Sequence, residues 1–355
     1  MGLTQGQRTI ISKARAVGGG KQGVALSDEA CAYLVAVIVR DLNLVGKFPE
    51  FPTRLPEFFS PGSLESRVVP KVDFVASFER LLGLDPNADT YFSCLAALHK
   101  ARLKYERILQ TQPVPTIDQV GPRGLLQFGT IVPKALTPFL LWRKWIYDID
   151  NRAGQETGYA FEPIIAHAVG GVSVSAKKSP IKRHANPKKG RQCDCVLDKK
   201  AYEVKMRVTI AASGQGRWRE EMEFPTDCKS SGYAPILVVL DPTPNPKLAE
   251  LKKAFIAEGG EVYIGNDAWE HFDSLAGKTM SRFLQLYVHA PIQALLAQVP
   301  EKAEELPDLQ LTMAEGEFSL SILGETLRMK RQPKEEEASD EDALPDDVED
   351  AFPGP

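Results

Sequence analysis

The chain has 355 residues, of which 25% are charged and 43% hydrophobic, a composition typical of folded globular proteins. It excludes wholesale disorder, a collagen-like fibre and a small disulfide-rich scaffold, and the length suggests about two domains. No apolar run reaches the roughly 18 residues of a membrane span. The first 25 residues show no signal peptide, and the five cysteines are most simply free thiols in a reducing cytoplasm.

Charge is distributed unevenly along the chain. The net charge is −4, but residues 332–355 contain ten acidic residues and one lysine, so the rest of the chain has a net charge of +5. Residues 163–193 contain no acidic residue, and such a one-sided basic block indicates a polyanionic partner, with a solvated loop as the alternative. The basic block comprises Lys177, Lys178, Lys182, Arg183, His184, Lys188, Lys189 and Arg191.

The first part of the chain is predicted to be mostly helical. Residues 1–26 are expected to be flexible, and Ser27 and Asp28 are suited to cap the first helix. The predicted helices of the region 27–150 are Glu29–Leu44, Val72–Leu82, Thr90–Gln110 and Pro138–Ile149.

From about residue 158, strands alternate with helices, which predicts an α/β core over 151–300. The segment 301–355 is an acidic extension in which disorder is expected after residue 331. It is interpreted as a solvated tail, and the alternative is that it competes with the polyanion for the basic block. The predicted strands are Val172–Ser175, Cys193–Leu197, Tyr202–Ile210, Pro235–Leu240 and Val262–Ile264, and the predicted helices are Glu162–Val169, Gly216–Phe224, Leu248–Glu258 and Asp267–Leu275.

A strand with mixed charge on one face is the clearest pattern of this α/β core. Residues 202–210 alternate strictly between apolar and polar side chains, which predicts a half-buried strand. Glu203 and Lys205 are one strand period apart, so a carboxylate and an ammonium group lie side by side on its polar face.

A hairpin would bring a second carboxylate to that face. When Cys193–Leu197 is folded back with a four-residue turn at Asp198–Ala201, Asp194 lies opposite Lys205 and diagonal to Glu203. A turn one residue longer or shorter would send Asp194 to the other face. Two carboxylates at this spacing can hold Mg²⁺, which would lower the pKa of a bound water, and the lysine can orient that water or stabilise negative charge.

Three alternatives compete with this metal site. Asp194 and Lys205 could form a surface ion pair beside a spare glutamate. Asp198 could replace Asp194 as a ligand, although aspartate is favoured in turns for its hydrogen bonds to the backbone. Cys193 and Cys195 could bind zinc, but no second cysteine pair with zinc spacing follows.

The order of these residues resembles the PD-(D/E)xK nuclease superfamily, since Asp194 is followed after eight residues by Glu203-Val204-Lys205. Cys193 stands where the motif has its proline. The stretch Ser213-Gly-Gln-Gly-Arg-Trp-Arg-Glu-Glu221 and the helical extension are similar to type II restriction endonucleases of the ApaLI-like group. The resemblance covers about residues 158–275. It implies an α/β, restriction-endonuclease-like core, in which helices flank a central mixed β-sheet, with a largely helical N-terminal region.

The resemblance also implies a function, namely sequence-specific, Mg²⁺-dependent hydrolysis of DNA phosphodiester bonds that leaves 5′-phosphate ends. Asp194 and Glu203 would bind Mg²⁺, Lys205 would assist the attacking water, and Glu162 would lie near the metal. Two rival functions are a repair or recombination nuclease that recognises DNA structure and a non-enzymatic nucleic-acid-binding protein.

Double-stranded DNA is the expected partner, and neither a membrane nor a small-molecule substrate is expected. The basic block would hold the phosphate backbone, and Gln215 and Arg217 would contact DNA near the cleft. The region 27–150 would read bases or form the interface of a homodimer, since two-fold protein symmetry matches a palindromic site. The expected location is a prokaryotic cytoplasm.

Overall fold

The computed structural model describes residues 2–18, 22–113, 115–206, 215–243, 246–298, 306–314 and 317–330. They form two compact units. The first contains described residues of Met1–Lys100 and Gly158–Leu295, and the second those of Ala101–Thr157 and Leu296–Glu341. None of the described helices is long and apolar enough to span a membrane. The division of the sequence at residues 26, 150 and 300 stays a prediction.

Helices dominate the first part of the described chain, and strands alternate with helices after it. The α-helices are α1 (Gln5–Arg15), α2 (Asp28–Asp41), α3 (Phe74–Leu84), α4 (Ala88–Gln110), α5 (Ile117–Val120), α6 (Pro133–Ala168), α7 (Gln215–Ser230), α8 (Pro246–Ala257), α9 (Asn266–Leu284) and α10 (Ala290–Leu296). The strands are β1 (Val172–Val174), β2 (Lys182–Arg183), β3 (Asn186–Gly190), β4 (Cys193–Leu197), β5 (Lys200–Lys205), β6 (Ala234–Val239), β7 (Glu261–Ile264), β8 (Leu309–Ala314), β9 (Glu317–Ile322) and β10 (Glu325–Lys330).

The predicted helices α2, α3 and α4 are present within a few residues of their expected bounds. The Ser27 hydroxyl accepts a hydrogen bond from the Ala30 N–H and begins α2, as predicted. The sequence predicts no helix before this point, yet α1 is present. Its signal is a capping box, in which Thr4 accepts from the Gln7 N–H and the Gln7 side chain accepts from the Thr4 N–H.

Helix α6 joins two segments that the sequence predicts as separate helices, Pro138–Ile149 and Glu162–Val169. The polar residues between them are typical of a break. In the structure, Glu156 instead forms ion pairs with Arg152 at 3.0 Å and with Lys104 of α4 at 3.4 Å. The i,i+4 pair supports a continuous helix where the apolar pattern is interrupted.

Five strands of the first unit form a mixed sheet in the order β1-β4-β5-β6-β7. The pairs β1–β4 and β4–β5 are antiparallel, whereas β5–β6 and β6–β7 are parallel. Residues 236–239 of β6 are fully buried, as their apolar run predicts. Phe224 of α7 and Phe255 of α8 pack with Leu237 and Val239 in one buried cluster. This mixed sheet with flanking helices confirms the predicted fold class.

Strands β4 and β5 form the predicted hairpin in a different register. Leu197 pairs with Lys200, so the turn has two residues rather than four, and the predicted pairing of Asp194 with Lys205 was wrong. The register is shifted by two residues. Because strand side chains alternate with a period of two, this shift keeps Asp194 on the face that carries Glu203.

The second unit contains an antiparallel sheet in the order β10-β9-β8, which the sequence analysis does not predict. Its strands lie in the segment whose acidic composition indicates an extension. Within the unit, Trp145 of α6 packs with Phe318 and Met329 in a buried cluster. The predicted strand residues 207–210 and the predicted disorder after residue 331 lie outside the described residues.

Candidate active site

Lys205, the last residue of β5, is held between two carboxylates. Its Nζ lies 3.0 Å from Oε1 of Glu203 and 3.1 Å from Oε1 of Glu221 in α7. The exposed fractions of the Lys205, Glu203 and Glu221 side chains are 16%, 18% and 21%. Partly buried pairs of this kind are screened by salt less than surface pairs are. Glu203 in a strand and Glu221 in a helix therefore hold the Lys205 ammonium group between them, and these three residues are called the ion-pair clamp below.

Asp194 in β4 is buried beside this clamp. Its Oδ2 accepts a hydrogen bond from the Val204 N–H at 2.8 Å. Desolvation raises the pKa of Asp194 well above its ordinary value, and the negative charges of Glu162 and Glu203 raise it further. The ammonium of Lys205 and the Val204 hydrogen bond oppose this rise. The structure thus brings Glu162, Asp194, Glu203 and Lys205 into one electrostatic cluster.

The pKa of Lys205 shows which protonation state the cluster favours. Desolvation by itself would lower that pKa, but the charges of Glu203, Glu221 and Asp194 outweigh it and raise the pKa above its ordinary value. Lys205 is therefore a permanent cation at neutral pH. It can donate hydrogen bonds and stabilise negative charge, but it cannot accept a proton there.

Two helices each add a carboxylate to the cluster. Glu162 lies near the end of α6, and the family resemblance implies that this acidic residue lies near the metal. A Cβ atom at Gly158 would lie 3.1 Å from Oε1 of Glu162, so the glycine one turn earlier leaves room for this carboxylate. Glu221 was not predicted as a site residue. The sequence feature that could have identified it is its position at the end of the stretch that resembles restriction endonucleases.

The donor set of the cluster suits a small, hard cation. Within the described ranges, no three His, Cys, Asp or Glu side chains are grouped closely enough to form a ready-made metal site. Mg²⁺ is commonly held by one or two carboxylates and keeps several waters, so Asp194 and Glu203 could hold it. A cation would also offset the repulsion that raises the pKa of Asp194. These residues fit Mg²⁺.

The alternative ligands lie outside this cluster. Asp198 is exposed in the hairpin turn with φ of +52°, a conformation that aspartate tolerates. Cys193 and Cys195 are buried, and the Cys193 Sγ lies 3.2 Å from the Cys195 carbonyl oxygen. Desolvation raises the pKa of Cys195 to about 12, so its thiol stays protonated at neutral pH. The three residues belong to a turn and to the protein core.

Residues 182–190 of the basic block form a β-hairpin, β2–β3, instead of an irregular loop. Gln215 and Arg217 begin α7, but their side chains lie outside the described part of the structure. Most side chains of the block are exposed, and these are Lys177, Lys178, Lys182, His184, Lys188 and Lys189.

Two arginines of the basic block are not exposed with the others. Arg191 is buried, and its Nη1 lies 2.8 Å from Oδ2 of the equally buried Asp227. Arg183 is half-buried, with Nη1 2.7 Å from Oε1 of Glu220. Both carboxylates belong to α7. The two arginines therefore anchor the basic hairpin on the helix that also supplies Glu221.

Comparison with known proteins identifies the family of the chain. The sequence matches the ApaLI-like restriction endonuclease family over residues 65–289, a range that contains every member of the cluster. It is 45% identical over 287 residues to the type II restriction enzyme ApaLI of Acetobacter pasteurianus. The aligned region covers 77% of this chain and 76% of that enzyme. No solved structure was found to match. On the family match and this identity, the chain belongs to the ApaLI-like restriction endonuclease family.

Proposed function

We propose that Glu162, Asp194, Glu203 and Lys205 form the catalytic centre of this type II restriction endonuclease. Family membership makes the chain a sequence-specific nuclease whose substrate is DNA. One observation supports the location of the centre above all others. The Lys205 ammonium lies within 3.1 Å of two carboxylates and beside a buried third, Asp194, on the polar side of paired strands.

Asp194 and Glu203 would hold Mg²⁺, the divalent ion that this oxygen donor set suits. When bound, Mg²⁺ supplies positive charge that lowers the pKa of a water and offsets charge on the phosphate. Asp194 is fixed for this role by its 2.8 Å hydrogen bond from the Val204 N–H, which engages only one of its two oxygens. Glu162 adds negative charge that favours a cation over an empty cluster.

Lys205 orients and stabilises, and it does not act as a base. Since its raised pKa keeps it protonated, its N–H groups can donate to the attacking water and to a non-bridging phosphate oxygen. Glu203 and Glu221 determine where the ammonium lies. Attack in line with the bond to the 3′ oxygen then leaves a 5′-phosphate and a 3′-hydroxyl.

The exposed basic hairpin supplies the phosphate contacts of the complex. Its lysines project into solvent, whereas Arg183 and Arg191 hold the hairpin to α7. Contacts of this kind carry no sequence information and make affinity depend on salt. Base readout, for which we propose the mostly helical region 27–150, requires separate contacts in a groove.

We also propose a homodimer, because a two-fold protein matches a palindromic DNA site. A cytoplasmic location is proposed from the free cysteines, since thiols stay reduced in that compartment. All five cysteines of the chain are buried and unpaired by disulfides in the structure.

A plasmid digest with matched aspartate variants tests the centre. With Mg²⁺, the unaltered protein should produce discrete bands whose sequenced ends carry 5′-phosphates. Asp194→Asn should abolish cleavage and keep DNA binding, while Asp198→Asn, an exposed turn residue of the same hairpin, should cut normally. Full cleavage by Asp194→Asn, or equal loss in both variants, would refute the proposed centre.

A further inference from the structure

The second unit exposes a large apolar surface. On α6, Phe139 and Ile146 are each 45% exposed and Tyr147 is 63% exposed. The segment just before the helix adds further apolar side chains, namely Leu125, Leu126, Phe128, Ile131 and Val132. Isolated exposed apolar residues are ordinary, but so many within one stretch of chain indicate an interaction surface.

A hydrogen bond joins this segment to the exposed side of the helix. Nη1 of Arg143 in α6 donates a hydrogen bond to Oε1 of Gln127 at 3.1 Å, which ties the two together. From their exposed fractions, the eight apolar side chains present about 900 Å², taking roughly 150–250 Å² for each large side chain. One partner in a stable protein–protein interface buries about 800 Å². The area is therefore what a specific dimer needs.

The exposed face of α6 is also complementary to itself. A helical stripe of exposed residues runs along it, namely Phe139, Arg143, Ile146, Tyr147, Asp150 and Gly154. Their spacing places them within about 100° around the helix axis. The stripe is complementary in charge and size about a point between residues 146 and 147, because a cation and an anion lie at equal distances from it.

A second copy placed antiparallel about this point would make matched contacts. Arg143 would face Asp150 of the partner subunit, and Phe139 would face Gly154 of the partner subunit. A Cβ at Gly154 would meet nothing within 4 Å in its own chain, so the glycine leaves open space on the stripe. A glycine inside an exposed helix weakens that helix relative to alanine, and close approach of a partner's ring gives it a use.

We infer that this surface, residues 125–132 together with the α6 stripe, is the interface through which two copies of the chain pair antiparallel. The inference rests on the proposed homodimer and assigns it a location. The contact is isologous, since each side offers the same residues to the other, and such a contact closes at two copies.

Charge reversal at the stripe provides the test. The 355-residue chain should sediment at twice its 39.1 kDa mass. Arg143→Asp and Asp150→Arg should each raise the dimer dissociation constant at least about tenfold, because each places like charges opposite one another twice. Mixing the two variants should restore dimers, as every contact in the mixed pair is again attractive. Lys134→Glu, exposed on the other side of α6, is the matched control and should sediment like the unaltered protein.

A second variant tests the apolar part independently of charge. Tyr147→Lys should weaken the dimer about a hundredfold, since aromatic residues at an interface centre contribute most of the affinity. Dimers that survive both Arg143→Asp and Tyr147→Lys would overturn the inference, as would failure of the mixed variants to pair. So would a monomer that dimerises only after truncation at residue 331, because the chain's own tail would then cover the surface.

Sedimentation and cleavage separate the two proposals. A protein that cuts DNA as a monomer refutes this interface and leaves the catalytic centre in place. A protein that dimerises through the stripe but does not cut with Mg²⁺ supports the interface and refutes the proposed centre.

Discussion

Replacing Lys205 by methionine tests the ion-pair clamp in depth. The ammonium lies 3.0 Å from Glu203 and 3.1 Å from Glu221, and at an effective dielectric constant of about 20 each attraction is about 5 kcal/mol before desolvation is subtracted. Removing one partner of a buried pair typically costs about 3–5 kcal/mol. Because the side chains here are 16–21% exposed, we expect a loss at the lower end, about 3 kcal/mol.

The same change should also lower the cleavage rate by about a hundredfold to a thousandfold, the usual effect of losing a charge-stabilising donor. The double variant Lys205→Met/Glu221→Gln separates the two roles. It removes one of the two carboxylates that the single variant leaves unpaired, so it should recover part of the lost stability and none of the activity.

Thermal unfolding in EDTA and single-turnover cleavage with Mg²⁺ measure the two effects. A Lys205→Met protein with unaltered unfolding temperature and unaltered rate would refute both the clamp and the catalytic role. A double variant that regains cleavage would show that Lys205 serves only to neutralise Glu221.

Three further predictions concern pH, the basic hairpin and salt. The pKa of Asp194 is raised in the folded protein, so without metal the folded state keeps a proton that the unfolded state releases above a pH of about 4. The free energy of unfolding should therefore fall as the pH rises from about 4 through the raised pKa. Asp194→Asn should remove this pH dependence, which urea titrations at several pH values would measure. Asp227→Ala leaves the buried Arg191 without its partner, which should destabilise the protein by about 3 kcal/mol; unchanged urea midpoints would contradict this. Lys188→Ala and Lys189→Ala should each make the plot of log DNA-association constant against log salt concentration less steep, by about 0.9 for every phosphate that the lysine no longer neutralises. Fluorescence anisotropy at several salt concentrations measures this slope. An unchanged slope would show that the hairpin does not contact DNA.

Local patterns predicted the core of the fold well. The apolar run of β6 and the alternation in β5 define buried and half-buried strands without reference to the rest of the chain. The continuity of α6 was not predictable in this way, because Glu156 is stabilised by Lys104, a residue far away in sequence. The sheet β8–β10 was not predicted, because the acidic composition of the segment indicated an extension and its apolar–polar alternation is weak.

The prediction that Asp194 shares a face with Glu203 holds despite an error in the predicted β4–β5 register. The predicted turn was too long by two residues, yet Asp194 still reached the correct face, because only the parity of the register matters for facing. An error of one residue would have removed it from the cluster.

The sequence alone determined that Glu203 and Lys205 share one face of a strand, because side-chain alternation is set by the backbone of that strand. The family resemblance implied that Glu162 lies near them, but only the tertiary structure shows how Glu162 and Glu221 join them. These two carboxylates lie on helices whose approach to β5 depends on how the chain packs, and no periodicity within either helix records that approach.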